Sequence, residues 1–341
     1  MQQEGDDTNH DFSPGMQRDN GVCLMTPRHI FGPVLSRRLG LSLGVDLIPF
    51  KTCSYDCAYC ECGTTTDKTI TRQDFFPAEH VITELRDVLA SHPHLDSITL
   101  AGSGEPTLSR SLGPVIAFVK REYPEYTLSV LTNGSLMTDE NVREELAVAD
   151  RVIPTLTSVF QETFERIHRP HPLLRIEAII EGMVQFRKMY SGALWLEVFV
   201  IPGLNTTAEE LTGLKGAIER INPDHVQLNT LDRPPAEGWV EAATDAELER
   251  VSAVLGGSGI EIVGRKLPVS HAMKVNTDAG DLVRATLCRR PSTVEDLVRT
   301  TGLSGGEVAK ILGVLERAGT VTSKRGARGV FYAILPGKDD Q

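Results

Sequence analysis

The sequence predicts an α/β core with a parallel sheet, followed by a small C-terminal winged helix-turn-helix domain. Between residues 41 and about 264, short apolar runs alternate with helical stretches, which is typical of a parallel sheet, either open or curled into a barrel. After about residue 275, three helical segments precede a hairpin pattern, which is the element order of a winged helix. We therefore expect a disordered, polar segment over 1–25, a core domain over 26–270 and a winged-helix domain over 275–336.

The core elements follow from hydrophobic periodicity. A helix over 78–91 would place apolar residues at helical spacing, namely Val81, Ile82, Leu85, Val88 and Leu89. The pairs Thr138-Asp139 and Thr206-Thr207 are plausible N-caps of two further helices. The predicted strands cover 44–50, 97–101, 127–131, 152–156, 194–201, 225–230 and 260–263. The other predicted helices cover 111–122, 139–149, 176–189, 208–220 and 245–255.

The C-terminal helices have recognisable ends. A helix over 280–290 is broken by Pro291, and Ser292 is expected to cap a second helix over 293–302, which ends at Gly302. Ser304 is expected to cap a third helix over 305–319. Residues 321–325 and 330–335 then alternate like the two strands of a hairpin.

The charge distribution differs along the chain. The net charge of −11 disfavours a broad nucleic-acid-binding surface, but residues 273–335 hold ten basic and six acidic residues, a net charge of +4. If the winged helix binds nucleic acid, the expected contacts are Lys310, Arg317, Lys324, Arg325 and Arg328. The alternative is a module that docks a protein or covers a site. No apolar run is long enough for a membrane span and no signal peptide is evident, so we expect a cytoplasmic protein without a membrane partner.

The cysteines are clustered. Four of the six, Cys53, Cys57, Cys60 and Cys62, lie within ten residues, directly after a predicted strand. The first three have C-x3-C-x2-C spacing, so three thiolates can each bind one iron of a cubane cluster and leave the fourth iron open to a small molecule. A zinc site, or a cluster with Cys62 as fourth ligand, is the alternative. We favour the open cluster, because no second ligand pair accompanies the loop and Cys62 follows Cys60 too closely for one tetrahedral site.

A glycine-rich loop follows the next strand. The sequence Gly-Ser-Gly-Glu-Pro-Thr over 102–107 would let a ligand approach exposed backbone, and the carboxylate of Glu105 can accept a hydrogen bond from an ammonium group. In isolation the same string is more often a plain turn. Because the loop comes one strand–helix unit after the cysteines, we predict that the two loops form one site.

These motifs resemble those of the radical S-adenosylmethionine (SAM) superfamily. The cysteine motif has the aromatic Tyr59 before its last cysteine, and the 102–106 loop resembles the superfamily's Gly-Gly-Glu-type motif, which contacts the methionyl amino group. Four further strings resemble the wyosine-tRNA synthesising group of the superfamily. They are FGPVLSRRLGLSLGVDLIPFKTC (31–53), LTNGSL (131–136), RIHRPHP (166–172) and QLNTLDRPPAE (227–237).

The resemblance implies a partial (β/α)6 barrel of the TIM type, with a [4Fe–4S] cluster on Cys53, Cys57 and Cys60. SAM would bind at the carboxyl ends of the strands and be cleaved reductively to a 5′-deoxyadenosyl radical. Glu105 and Gly104 would hold the methionyl end. Asn133, with Thr155 or Thr157, would lie near the carboxylate and ribose, and Ile201 would pack on adenine. The implied cofactor-binding residues are thus Tyr59, Gly102, Gly104, Glu105, Asn133, Thr155, Thr157 and Ile201.

Three departures from the wyosine group bear on function. Only Cys23 precedes the motif, so a second cluster is not expected, and a winged helix stands where the eukaryotic relatives have a flavodoxin-like domain. The relatives' Ser-Leu-Asp is Thr155-Leu156-Thr157 here. Our first hypothesis is a radical SAM enzyme that modifies tRNA or another RNA, with a flavodoxin or ferredoxin as electron donor. The alternative is an iron–sulfur winged-helix regulator that senses redox state or SAM without turnover.

Several other residues have two interpretations each. Arg37 and Arg38 would bind an anionic group at the barrel mouth or form surface ion pairs, and Arg233 would line the substrate opening or belong to a rigid loop. Cys62 is a possible hydrogen-atom donor, while Cys288 is expected in a core. The three histidines near these motifs, His168, His171 and His225, are expected to be hydrogen-bonded structural residues.

Overall fold

The computed structural model describes residues 29–257, 259–264, 279–326 and 328–335. The segment 1–25, for which we predicted disorder, and Cys23 lie outside the described residues. Within them, no helix is both long and apolar enough to cross a membrane.

An eight-stranded sheet forms the centre of the core. Its order is β1-β2-β5-β6-β7-β8-β9-β10, and all neighbours are parallel except the antiparallel pair β1–β2. A separate short pair, β3 and β4, belongs to the cysteine loop. The strands are β1 (Ile30–Ser36), β2 (Gly40–Val45), β3 (Thr52–Cys53), β4 (Asp67–Lys68), β5 (Ser97–Leu100), β6 (Leu128–Thr132), β7 (Arg151–Pro154), β8 (Ala193–Phe199), β9 (His225–Asn229) and β10 (Ile260–Ile262).

The strand order distinguishes this fold from a doubly wound sheet. From β2 to β10 each strand lies beside the preceding strand of the sheet, whereas a doubly wound order reverses at a switch point. In the described part of the chain, the sheet ends at β1 and β10, so the barrel is not closed. The helices between the strands are α1 (Ala78–Leu89), α2 (Leu112–Glu122), α3 (Glu140–Leu146), α4 (Gln161–His168), α5 (Ile176–Met189), α6 (Ala208–Ile221) and α7 (Asp245–Leu255).

The predicted α/β core with a mostly parallel sheet is confirmed. The errors in the predicted strands and helices have local causes. The predicted strand over 44–50 is misplaced: the strand covers Gly40–Val45, and residues 46–50 follow it outside the sheet, since Asp46 and Pro49 are poor strand residues. The eight-residue helix α4 was missed, since it is short and only three of its residues, Phe164, Ile167 and His168, are buried. In α1, Val88 is 39% exposed, whereas the other four predicted core residues are buried.

The C-terminal elements have their own apolar core. Three helices, α8 (Ala279–Arg289), α9 (Val294–Thr301) and α10 (Gly305–Arg317), pack with strands β11 (Ser292–Thr293), β12 (Val321–Gly326) and β13 (Gly329–Ile334). The strands form a small antiparallel sheet of order β11-β13-β12. Thr293, not Ser292, caps α9, because Ser292 pairs with Tyr332 in β11 and the capping box joins Thr293 to Asp296. Ser304 caps α10 as predicted.

An arginine–aspartate network joins the C-terminal elements to the core. Arg328 binds both carboxylate oxygens of Asp296 at 3.0 and 3.1 Å and Asp232, after β9, at 2.9 Å. Arg233 contacts the same two aspartates at 2.9 and 3.6 Å, and Arg37 lies 3.7 Å from Asp232. The expectation that Arg328 contacts nucleic acid is therefore wrong, since its guanidinium is committed to this interface. Arg37 and Arg233 likewise pair with carboxylates of the chain itself.

Asp296→Asn should weaken this interface. Burial alone would raise the pKa of Asp296, but the hydrogen bonds of Arg328 and the charge of Arg233 lower it to about 2. Because the folded pKa is depressed, the stabilisation is present above the ordinary value of 3.8 and is lost as the pH falls toward about 2. Removing one partner of a buried ion pair costs about 3 kcal/mol, so denaturant titration at pH 7 should show a loss of that order. The exposed Glu316→Gln is the control, and equal stability of both variants at pH 7 would contradict the prediction.

Candidate functional site

The carboxyl ends of the parallel strands bring the predicted site residues to one edge of the sheet. The cysteine loop follows β2, the 102–107 loop follows β5, and Asn133 follows β6 directly. Thr155 and Thr157 follow β7, and Ile201 follows β8. Ligand sites of such folds form where these loops converge.

The cysteine loop is held by α4 and the residues after it. The Asp56 and Ala58 amides donate to the carbonyls of His168 and Ile167, and the His171 amide donates to the Ser54 carbonyl, each at 2.9 Å. These three backbone bonds fix the loop on both sides of Cys57. The missed helix α4 therefore shapes the cysteine loop.

Each of the three motif cysteines has a polar contact from a different part of the chain. The side-chain amide nitrogen of Asn133, Nδ2, lies 3.6 Å from Cys53 Sγ, and His168 Nδ1 lies 3.1 Å from Cys57 Sγ. Lys51 Nζ donates to Cys60 Sγ at 3.1 Å. Donors around the sulfurs stabilise ligating thiolates and tune an iron–sulfur cluster, so this arrangement fits a three-cysteine cluster.

The thiols differ in acidity. Burial and then the charge of Glu105 raise the pKa of Cys53 to about 12, and burial raises the pKa of Cys57 as well. A hydrogen bond from Cys62 and the nearby Lys51 ammonium lower the pKa of Cys60 to about 6 despite its burial. Because only thiolates bind metal, iron must displace protons from Cys53 and Cys57.

No three His, Cys, Asp or Glu side chains of the described chain surround a single metal position. A cubane does not require one, because its protein thiolates bind separate irons. Cys62 contacts Cys60, and this contact raises the pKa of Cys62.

Glu105 holds the glycine loop to the end of β6. Its buried carboxylate accepts hydrogen bonds from the Thr107 amide (3.1 Å) and hydroxyl (2.6 Å), the Thr132 hydroxyl (2.6 Å) and the Asn133 amide (2.7 Å). It also caps a short 3₁₀ turn over Pro106–Leu108. The carboxylate that was expected to bind a ligand's ammonium group thus accepts four hydrogen bonds from the chain itself.

The two glycines of this loop permit close packing of the protein on itself. A Cβ on Gly104 would lie 1.9 Å from the Thr52 carbonyl oxygen, and one on Gly102 would lie 2.1 Å from the Asp46 carboxylate carbon. Gly104 thus lets the glycine loop pack against Thr52, the residue that precedes Cys53 in the cysteine loop. We predicted that a ligand would approach the backbone here, whereas in the structure the chain itself packs against these glycines.

The two threonines after β7 serve different partners. Thr157 is 1% exposed, and its hydroxyl lies 2.5 Å from His168 Nε2. Thr155 donates to Glu197 at 2.9 Å, and Glu197 also pairs with Arg38 at 2.9 Å. Arg38 therefore contacts a carboxylate of the chain, and Thr157 supports the histidine beside Cys57.

An apolar wall lies beside the cysteine loop. Tyr59 stacks on Phe199, with ring centroids 4.0 Å apart and planes 13° apart. Ile201 is 2% exposed and packs in the same cluster with Ala58 and Leu231. The structure thus brings Tyr59 and Ile201 together in one apolar cluster.

None of the three sulfur contacts was predicted from the sequence, since Asn133 was assigned to the SAM carboxylate and ribose. Lys51 was never singled out, although it stands two residues before Cys53. His168 was expected to be hydrogen-bonded, which the structure confirms, but its partner Cys57 was not foreseen. Burial lowers the pKa of His168 to about 3, so the ring is neutral near pH 7.

A model of the Radical SAM superfamily matches residues 47–212, a range that includes the cysteine loop and the four parallel strands β5 to β8. The chain belongs to the radical SAM superfamily. Radical SAM proteins are enzymes that use a [4Fe–4S] cluster and SAM.

Curated relatives of this radical SAM protein include two UPF0026 proteins. The one from Helicobacter pylori (strain 26695) is 34% identical and aligns over 79% of this chain and 87% of its own length. MJ1312 from Methanocaldococcus jannaschii is 33% identical over 69% of this chain and 74% of its own length. A protein named GTPase Obg from Brachyspira hyodysenteriae is 34% identical over 90% of this chain, but the chain spans only 45% of that protein.

Solved structures share the fold of this radical SAM protein at low identity. SuiB of Streptococcus suis bound to SAM has a TM-score of 0.51 at 14% identity, covering 65% of this chain and 50% of SuiB. A radical SAM methyltransferase from Sphaerobacter thermophilus has a TM-score of 0.50 at 16% identity, covering 65% of each chain. These likenesses establish the fold.

Proposed function

We propose that Cys53, Cys57 and Cys60 hold the [4Fe–4S] cluster and that the protein cleaves SAM reductively. The supporting observation is the separate polar contact at each of these three sulfurs, at 3.6, 3.1 and 3.1 Å. When bound, the cluster supplies the electron that breaks the SAM sulfonium and releases a 5′-deoxyadenosyl radical.

His168 orients Cys57 in this proposal. A ligating sulfur can only accept a hydrogen bond, so the neutral ring must carry its proton on Nδ1, and Nε2 must accept from the Thr157 hydroxyl. Lys51 balances charge at Cys60. Thr157 is therefore proposed as a positioning residue for the ring, instead of a ribose contact.

We propose that backbone groups of the 102–105 loop, and not the Glu105 side chain, meet the methionyl end of SAM. Glu105 orders that loop by joining it to Asn133. Tyr59 and Ile201 belong to the apolar wall that would receive the adenine. Thr155, paired with Glu197, lies at the end of the adjacent strand.

The direct test is release of 5′-deoxyadenosine. The protein is reconstituted anaerobically with iron and sulfide, reduced with dithionite and given SAM, and the product is quantified by chromatography. Turnover supports the proposal. A cluster that forms but never cleaves SAM, with any RNA substrate added, would favour the redox or SAM sensor.

His168→Phe should shift the reduction potential of the cluster. The variant removes the donor to Cys57, and a donor at a ligating sulfur favours the more negatively charged, reduced form. Loss of about 1 kcal/mol of such stabilisation corresponds to a potential about 40 mV lower for a one-electron couple, measured by redox titration with electron paramagnetic resonance. The control is His225→Phe, because His225 is an exposed residue at the amino end of β9, opposite the carboxyl ends that carry the site. An unchanged potential in His168→Phe would remove the histidine from this role.

We further propose that the substrate is tRNA or another RNA and that the C-terminal elements, over 275–336, form a winged-helix domain that binds it. The core domain would cover 26–270, and a flavodoxin or ferredoxin would supply electrons. The supporting observation is a set of exposed basic side chains on α10 and β12, namely Lys310, Arg317, Lys324 and Arg325. Arg328 is not part of this surface, because it pairs with Asp296.

Reversing two of these charges should weaken RNA binding. In Lys324→Glu/Arg325→Glu, affinity for bulk tRNA should fall about tenfold or more. The slope of log affinity against log salt should decrease by about two, because two phosphate contacts are lost. Lys188→Glu/Lys215→Glu makes the same charge change on exposed helix positions of the core. Equal losses in both variants would indicate a charge effect without a binding surface.

A further inference from the structure

A basic surface pocket lies on the outer side of the cysteine loop. It has a volume of about 370 Å³ and is lined by the residues after α4 together with Lys68 and Arg175. We call it the Lys68–Arg175 pocket. Neither the proposed SAM site nor the proposed RNA surface uses it.

The wall of this pocket is bonded directly to the cysteine motif. Lys68 on β4 is the register partner of Cys53 on β3, and its Nζ donates to the Arg169 carbonyl at 3.1 Å. The backbone of His168 and His171 bonds to Asp56 and Ser54, at 2.9 Å each. Residues of the pocket lining are therefore paired or hydrogen-bonded to the segment that carries Cys53 and Cys57.

The pocket is positively charged in a protein whose net charge is −11. Lys68 and Arg175 are exposed, and no ion pair joins either to an acid of the described residues. Arg175 uses one nitrogen on the carbonyls of Pro172 and Leu174, both at 2.8 Å. Glu165 is the acidic residue of the lining. Leu173, which lies between Pro172 and Leu174 of the lining in sequence, is 74% exposed and adds an apolar side chain to this surface.

We infer that the Lys68–Arg175 pocket is the docking surface for an acidic one-electron donor protein of the flavodoxin or ferredoxin class. The inference rests on the proposed function, because it needs the cluster on Cys53, Cys57 and Cys60. Charge complementarity selects an acidic partner and raises the rate of encounter. The donor gives up one electron, its flavin or iron centre is oxidised by one unit, and the cluster is reduced by one, with no bond made or broken.

The test is charge reversal read out by binding and by electron transfer. Binding of oxidised flavodoxin is measured by calorimetry, and reduction by flavodoxin hydroquinone and by dithionite is followed in a stopped-flow spectrometer. In Lys68→Glu/Arg175→Glu, the dissociation constant should rise about tenfold or more, because two attractions become repulsions. The ratio of flavodoxin-driven to dithionite-driven reduction rates should fall by a similar factor. In the wild type, raising salt should weaken flavodoxin binding, since exposed charges are screened.

Lys188→Glu/Lys215→Glu is the matched control, with the same charge change on two exposed helix residues away from the pocket. Arg175→Glu alone guards against damage to the β3–β4 pair and should show a smaller change in the same direction. If flavodoxin binds the reversed and the wild-type proteins equally, the docking surface is elsewhere. If the reversed protein loses tRNA instead of flavodoxin, the pocket belongs to the RNA surface and the inference is overturned. Failure of dithionite to support SAM cleavage in the wild type would instead count against the proposed function.

Discussion

Cys57→Ala should lose cluster iron and 5′-deoxyadenosine release together. Cys57 is the central cysteine of the motif, and its sulfur lies 3.1 Å from His168. Changing an outer partner of a metal ligand already costs about 10- to 100-fold, so removing the ligand itself should cost at least about 100-fold in SAM cleavage. Iron content, the visible spectrum and product release measure the effect on anaerobically reconstituted protein.

Cys62→Ala is the control for this experiment. Cys62 also lies in the loop and contacts Cys60, but in our proposal it binds no iron. The variant should keep the cluster and SAM cleavage within about twofold, with Cys60 less acidic because a hydrogen bond is lost. Loss of iron from Cys62→Ala and retention in Cys57→Ala would show that a different set of cysteines holds the cluster.

Glu105→Gln should destabilise the core and disorder the glycine loop. The carboxylate accepts four hydrogen bonds from three residues, and an amide in its place turns one of its two oxygens into a donor. Either orientation of the amide then sets donors against donors in a buried site. We expect a loss of about 2–4 kcal/mol in the free energy of unfolding, measured by denaturant titration, with weaker SAM binding.

Glu162→Gln makes the same chemical change at an exposed position of α4 and should leave stability within about 0.5 kcal/mol. Burial raises the pKa of Glu105, so the experiment also reports its protonation state. Equal stability of Glu105→Gln and the wild type would mean that the carboxyl is protonated and donates a hydrogen bond, contrary to its role as an acceptor.

Local patterns determined the parts of this protein that depend on neighbours in sequence. The alternation of apolar runs and helices predicted the parallel sheet, because both periods are written into consecutive residues. The spacing of Cys53, Cys57 and Cys60 predicted a site with three thiolates on one loop. The resemblance to the radical SAM superfamily rested on the same short motifs, and the family comparison confirms it.

The roles of individual side chains at the site required the tertiary structure. His168 is 111 residues from Cys57 and Asn133 is 80 residues from Cys53, so no local pattern pairs them. Glu105 and Arg328 were expected to bind ligands from outside, but packing gave the first to Thr107 and Thr132 and the second to Asp296. A buried charge must find partners, and which partners it meets depends on strands and helices brought together from distant parts of the chain. The sequence thus determined the fold class and the chemical class of the site. The tertiary structure decided which groups contact the sulfurs and which form hydrogen bonds and ion pairs that stabilise the fold.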